Sequence, residues 1–201
     1  MSGQFPTSPN FRSLNFKDNR PNLLNQTLSG KRQVRQIGSQ YFSFTVAMPP
    51  MQYDNAMDVF AFLTKQKGSY ETFTIQYPTN NRGAGKSETD ILVNGVHSAS
   101  DGTIDLDGFA TSTSGVLKAG DFIKFANHSK VYMVQADCDS DATGATTVLL
   151  EPNLVSTLAD NEAVTVNKPS FTVYLKTPDI LFNTDAQGFY SIQFDVREVI
   201  T

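Results

Sequence analysis

Tryptophan is absent from this chain of 201 residues, cysteine occurs once, at Cys138, and charged residues make up only 18%. A lone thiol excludes an internal disulfide and a thiolate metal cluster within one chain. No apolar run approaches the ~20 residues that cross a bilayer as a helix, so no membrane partner is expected. The opening stretch Met1-Ser2-Gly3-Gln4-Phe5-Pro6 lacks the charged and apolar regions of a secretory signal, which points to synthesis in a reducing compartment. What the chain does have is phenylalanine, 15 in all, within an apolar fraction of 39%. At 22.1 kDa that suffices for one large or two small domains without covalent staples.

Charge is scarce but unevenly placed. Residues 1–53 hold Arg12, Lys17, Arg20, Lys31, Arg32 and Arg35 against one acid, Asp18, a net of +5. The remainder carries a net of −9, giving −4 for the whole. A basic arm on an acidic body suits a protein partner, in particular another copy of the same body. Phe5, Phe11 and Phe16 interleave the basic groups and could stack on bases, yet the isoelectric point near 5.1 is far from the footprint of a nucleic-acid binder. Nucleic acid is therefore not the expected partner. Arg12, Arg20, Lys31, Arg32 and Arg35 are the candidate interaction residues, named for their charge.

The patterning divides the chain into three. Residues 1–39, with three prolines and many Asn, Ser and Gln, show no sustained period and read as an extended basic arm. Residues 40–79 and 169–201 share one style. Phe42, Phe44, Val46 and Met48 alternate with polar neighbours, as do Ile192, Phe194 and Val196, marking strands with one buried face. Between them Ala56, Val59, Phe60 and Leu63 form the stripe of a helix over 54–67, with Asp54 as its N-cap and Gly68 as its left-handed stop. Strands 41–48, 71–77, 170–176 and 189–199 would then build one sheet system covered by the helix. Residues 80–168 differ: short strands at 91–93, 103–106, 121–125, 130–135, 146–150 and 163–166 are separated by Gly, Ser, Asn and Asp turns. The expected fold is mainly β with one principal helix, a β-sandwich carrying an inserted small β-barrel or sandwich module.

Motifs for chemistry are present only in fragments. Gly83-Ala84-Gly85-Lys86-Ser87 resembles the end of a phosphate loop, but Asn80 stands where the first glycine is needed and a strand follows instead of a helix; it reads as a mobile loop. Asp137, Asp139 and Asp141 alternate like calcium ligands, but Ala142 and Val148 replace the Gly and Glu of an EF-hand, leaving a solvated turn with at most a weak cation site. His97 and His128 lie in turns without a nucleophile elbow around any serine. The aspartates around Cys138 disfavour its thiolate. No catalytic residue, cofactor or metal is expected, and the chain does not read as an enzyme.

Five segments together carry a family resemblance. They are Phe5-Pro6-Thr7-Ser8-Pro9 with Phe11; Ser29-Gly30-Lys31-Arg32-Gln33-Val34-Arg35 before an aromatic strand; and Ala61-Phe62-Leu63 followed by Gly68 and Glu71-Thr72-Phe73. The others are Leu117-Lys118-Ala119-Gly120-Asp121-Phe122 through Val131-Tyr132-Met133-Val134, and Gly144-Ala145-Thr146 to Leu150-Glu151-Pro152-Asn153-Leu154. In this order they resemble the distal tail and baseplate structural proteins of tailed bacteriophages, whose fold is similar to that of tail-tube proteins. The resemblance implies a structural virion protein of the tail, assembled in the host cytoplasm. It implies a ring of copies, often sixfold, with neighbouring tube, hub or baseplate proteins as partners. A tube or adaptor subunit is the nearest alternative, and a carbohydrate-binding, host-recognising 80–168 module is the alternative of a different kind.

Overall fold

The computed structural model describes residues 2–200; Met1 and Thr201, the outer limits of the first and last expected segments, lie outside the described residues. The chain forms two compact units. One is made chiefly of Pro6–Phe73 and Val173–Glu198, the other of Thr74–Thr172 with Gly3–Phe5. The fold is mainly β with one principal helix, and each unit is built on a six-stranded sheet.

The first sheet is assembled from distant stretches. Strands β1 (Ser13–Asn19), β4 (Tyr41–Ala47), β14 (Tyr190–Glu198), β12 (Ser170–Leu175) and β5 (Phe73–Gln76) follow in that spatial order, with β13 (Leu181–Thr184) also paired to β14. The β4–β14 register sets Phe44 opposite Val196 and Val46 opposite Phe194. All four are buried, together with Phe42 and Met48, so the alternating residues of both strands fall on one face. Glu198 is buried too, and its Oε2 accepts the Phe42 amide at 3.0 Å.

Helix α1 runs Tyr53–Lys65, not 54–67, and its N-cap is Gln52 in extended conformation, which offers no side-chain bond. Asp54 is thus not the cap. It sits inside the first turn, where a carboxylate still favours the exposed amides. Ala56, Val59 and Leu63 are buried, while Phe60 is half-buried and turned toward Phe182, ring centres 4.9 Å apart. At the other end Lys67 and Gly68 both take positive φ, 53° and 66°, which stops the helix earlier than glycine alone would.

Residues 1–39 contain regular structure that their composition does not announce. Strand β1 pairs with β4 from Ser13↔Ala47 to Asn19↔Tyr41 and rests Phe16 on Phe42 and Phe44. Between the paired Asn19 and Tyr41 the chain makes an excursion, a hairpin of β2 (Asn22–Gln26) and β3 (Arg32–Gln36). All ten of its strand residues are exposed, and a strand with no buried face leaves no alternation to read.

The second unit is a small barrel. Its sheet runs β11 (Val164–Thr165), β8 (Phe122–Phe125), β9 (Tyr132–Val134), β10 (Thr146–Glu151), β7 (Thr103–Asp107) and β6 (Leu92–Val93). The two ends then meet: Leu92 bridges Ala163, the Val164 amide donates to the Ile91 carbonyl at 2.9 Å, and the Val93 amide to that of Glu162 at 3.0 Å. Closure pairs backbone groups that an open edge would expose. Ile104, Leu106, Ile123, Phe125, Tyr132, Val134, Val148 and Leu150 fill the interior. Each fully buried side chain of this size stabilises by about 1.5–3 kcal/mol.

This alternation makes a local test. Ile104→Ala is expected to destabilise by about 2–5 kcal/mol in urea unfolding. Its exposed neighbour Thr103, changed to Ala, is expected to stay within about 0.5 kcal/mol of the parent. Equal effects at the two positions would contradict the inward assignment of Ile104.

Candidate functional site

The five basic residues named from charge do not form one cluster. Arg12 and Arg20 flank β1 at its two ends, both exposed. The Arg12 backbone amide donates to the Ala47 carbonyl at 2.9 Å, and the Arg20 guanidinium Nε donates to Asp18 Oδ2 at 2.8 Å. Lys31, Arg32 and Arg35 are brought together on the hairpin. Lys31 lies in the turn, where its amide donates to Thr27 Oγ1 at 3.1 Å, while Arg32 stands opposite Gln26 and Arg35 opposite Leu23.

Charge alone missed the apolar half of this surface. Leu23, Leu24, Leu28, Val34 and Ile37 are all exposed, Leu24 at 63%. Cross-strand partners share a face, so Leu24, Val34 and Arg32 line one side of the hairpin, and Leu23 and Arg35 the other. Five uncovered aliphatic residues beside three cations have the composition of a contact surface rather than of a solvated loop. The signal in the sequence was the presence of these leucines within an otherwise polar, unpatterned segment.

The other motif fragments resolve into scaffolding. Residues 83–87 are not a free loop: Ala84–Ser87 is a single 3₁₀ turn whose amides at Ala84 and Gly85 donate to Gly115 and Val116, both at 2.9 Å. The amides of Arg82 and Gly83 are held by buried Asp121 at 2.7 and 2.9 Å. A Cβ at Gly83 would come within 2.2 Å of the Val116 carbonyl oxygen, and one at Gly85 within 2.7 Å of the Phe109 ring, so these glycines serve close packing. The three alternating aspartates do not converge on a point. Asp137 accepts the Ala119 amide and the Lys118 ammonium, both at 2.9 Å. Asp139 accepts the Gly115 amide and the Ser114 hydroxyl, and Asp141 the Thr143 hydroxyl and the amides of Thr143 and Ala145. These bonds hold all three carboxyls below the usual carboxylate range. Among the described residues no group of three His, Cys, Asp or Glu is arranged to hold a metal ion.

His97 Nε2 accepts the Asp105 amide at 3.3 Å within the barrel. Cys138 is buried, and burial followed by the charge of Asp137 and Asp139 pushes its thiol up. His128 is buried with Nδ1 2.7 Å from the Tyr132 hydroxyl. Its Nε2 has no hydrogen-bond partner among the described residues. Desolvation lowers its pKa from the ordinary 6.5, against opposing pulls from the Thr157 carbonyl and the Glu162 carboxylate.

These shifts fix a pH dependence. As the pH falls below 6.5 the unfolded chain protonates His128 before the folded chain does, so stability declines through that window. The depressed aspartates stabilise the fold above their ordinary 3.8, and that contribution is lost as the pH falls through their folded values. Thermal melts from about pH 8 to about pH 2 are expected to show two successive declines, the upper one absent in His128→Phe. An unchanged slope between about pH 6.5 and 5 in that variant would remove His128 as the cause.

Comparison with known proteins agrees with this geometry. Residues 79–171, the segment that holds every strand of the barrel, match the family described as distal tail protein pb9, B domain. The chain is also 27% identical over 206 residues to distal tail protein pb9 of Escherichia phage T5, spanning 94% of this chain and 91% of that protein. The resemblance carried by the five motifs therefore extends across nearly the whole length: the chain is similar to a structural protein of the distal tail of a tailed bacteriophage, and its residues 79–171 match that protein's B-domain family.

Proposed function

We propose that the chain is a non-enzymatic subunit of a ring at the distal tail or baseplate, closed by contacts between copies and joining tube to hub or baseplate proteins. The observation that supports this reading is the β2–β3 hairpin, which has exposed aliphatic side chains and carries Lys31, Arg32 and Arg35. A two-stranded ribbon of this kind is only marginally stable in water and gains from a surface to lie on. The sheet also has an edge strand, β1, whose outer backbone groups a neighbouring copy can pair. A net of +5 in residues 1–53 against −9 elsewhere makes another copy an attractive neighbour. Closed rotational symmetry lets the same contact repeat until no surface is left over, and sixfold closure is the order the family resemblance favours. Assembly in the host cytoplasm, followed by residence in the virion tail, fits the same reading. The carbohydrate alternative draws less support, because the barrel's rings Phe109, Phe122, Phe125 and Tyr132 are buried and give a sugar no stacking face.

The hairpin can be removed without cutting the sheet. Asn19 and Tyr41 are already paired, so replacing residues 20–40 by a short turn keeps β1 on β4. The excised variant is expected to melt within a few degrees of the parent. The parent is expected to form salt-sensitive rings by light scattering and negative-stain imaging, since the Debye length falls from about 10 Å at 0.1 M to about 3 Å at 1 M salt. The variant should stay monomeric. Rings at parental yield from the excised chain would overturn the role given to the hairpin.

A further inference from the structure

Four aromatic rings form a continuous ladder on the sheet unit. Tyr53 lies 5.5 Å from Tyr190, Tyr190 lies 5.3 Å from Phe182, and Phe182 lies 4.9 Å from Phe60. Two of the rings come from α1 and one each from β13 and β14. The ladder is open at one end: Tyr53 is 57% exposed, while Phe60, Phe182 and Tyr190 are half-buried. The segments that carry it, α1 and residues 179–193, include Asp54, Asp58, Asp179 and Asp185, all exposed, against one cation, Lys65 in the last turn of the helix.

Residues 20–37 are the complement. They hold Arg20, Lys31, Arg32 and Arg35, no acid, and the exposed Leu23, Leu24, Leu28, Val34 and Ile37. The two stretches thus pair exposed apolar side chains with charge of opposite sign, a combination suited to a specific interface. Resting on the self-association reading above, we propose that the aromatic ladder is the surface that receives the β2–β3 hairpin of a second copy.

The hairpin of the same chain does not cover the ladder, because all ten of its strand residues are exposed. The barrel's aspartates at 137, 139 and 141 are the competing acidic surface, but their carboxylates are already engaged by loop amides and hydroxyls. At the ladder Asp185 is engaged in the same way, accepting the Gln187 and Phe189 amides at 2.9 and 2.8 Å, so Asp54, Asp58 and Asp179 are the carboxylates that distinguish it. Arg32, on the same side of the hairpin as Leu24 and Val34, then gains a carboxylate partner and a ring face together, an arrangement that concentrates binding energy in few residues. Leu24 and Val34, on one side of the hairpin, supply the aliphatic contact for Tyr53 and Phe182.

A benzophenone side chain in place of Leu24, in full-length protein mixed with isotope-labelled copies, tests the assignment. Irradiation is expected to link Leu24 to a second chain within residues 53–64 or 179–193. Asp54→Lys with Asp58→Lys and Asp179→Lys should reduce that product at least about tenfold, the scale expected when rim charges are reversed, and Arg32→Glu should partly restore it. Intermolecular links that map elsewhere would overturn the ladder as the receiving surface and leave self-association standing. Single chains at every concentration and salt, with no intermolecular product, would overturn both.

Discussion

The β4–β14 pairing is the constraint on which the sheet unit rests. It joins a strand near residue 44 to one near residue 196, and three further strands attach to this pair: β1 along β4, β12 and β13 along β14. Its register places Phe44, Val46, Phe194 and Val196 on one face. A slip of either strand by one residue would turn its own apolar pair outward and bring Thr45 or Asp195 in, so the apolar pattern leaves a single workable alignment. Because this pairing is made by the two ends of the chain, the stretch between them is free to fold on its own terms. That freedom is what permits a barrel between β5 and β12.

The two units deal with backbone edges in opposite ways. The barrel brings β6 round to β11 and satisfies its edge internally. Its loops are tied down as well, with Asp121 holding three amides, those of Arg82, Gly83 and Lys118, and Asp137, Asp139 and Asp141 holding others. The sheet unit ends on β1 and projects a hairpin with no buried face. Exposed aliphatic surface and unpaired strand edge are liabilities for an isolated protein, and natural sequences remove them where they are not used. In the barrel the exposed aliphatics are the separate Val96 and Leu149, whereas the sheet unit gathers five on one segment, which favours the sheet unit as the seat of the proposed association.

How much of this was legible depended on burial. Strands with one inward face were visible as alternation, and Tyr41–Ala47, Thr103–Asp107, Thr146–Glu151 and Tyr190–Glu198 fall within a residue or two of where the pattern puts them. β2 and β3 were invisible for the opposite reason, since exposed positions impose no selection by period. β1 did carry a trace, Leu14 and Phe16 against polar neighbours, too short to stand out from a segment rich in Asn and Pro. The candidate site was half legible. Charge identified Lys31, Arg32 and Arg35, but only the register shows that Leu24, Val34 and Arg32 share a side. The acidic ladder was out of reach, because it is made by residues about 130 positions apart and no linear pattern joins Tyr53 to Tyr190.

The size of the contact surface bears on how such a subunit assembles. A ten-residue hairpin laid on a neighbour covers less than the ~800 Å² per partner of a standard stable interface, so one contact of this kind is weak alone. In the proposed ring each copy makes it twice, once with its hairpin and once with its receiving surface, and the last contact closes intramolecularly at high effective concentration. Open intermediates then stay sparsely populated while the closed ring is held by all its contacts together. The uneven placement of charge helps. With four cations confined to residues 20–37, wrong encounters between the acidic remainders of two copies are repulsive, and hairpin-first encounters are steered. Weak single contacts and cooperative closure suit a part that must remain separate until it meets its place in the tail.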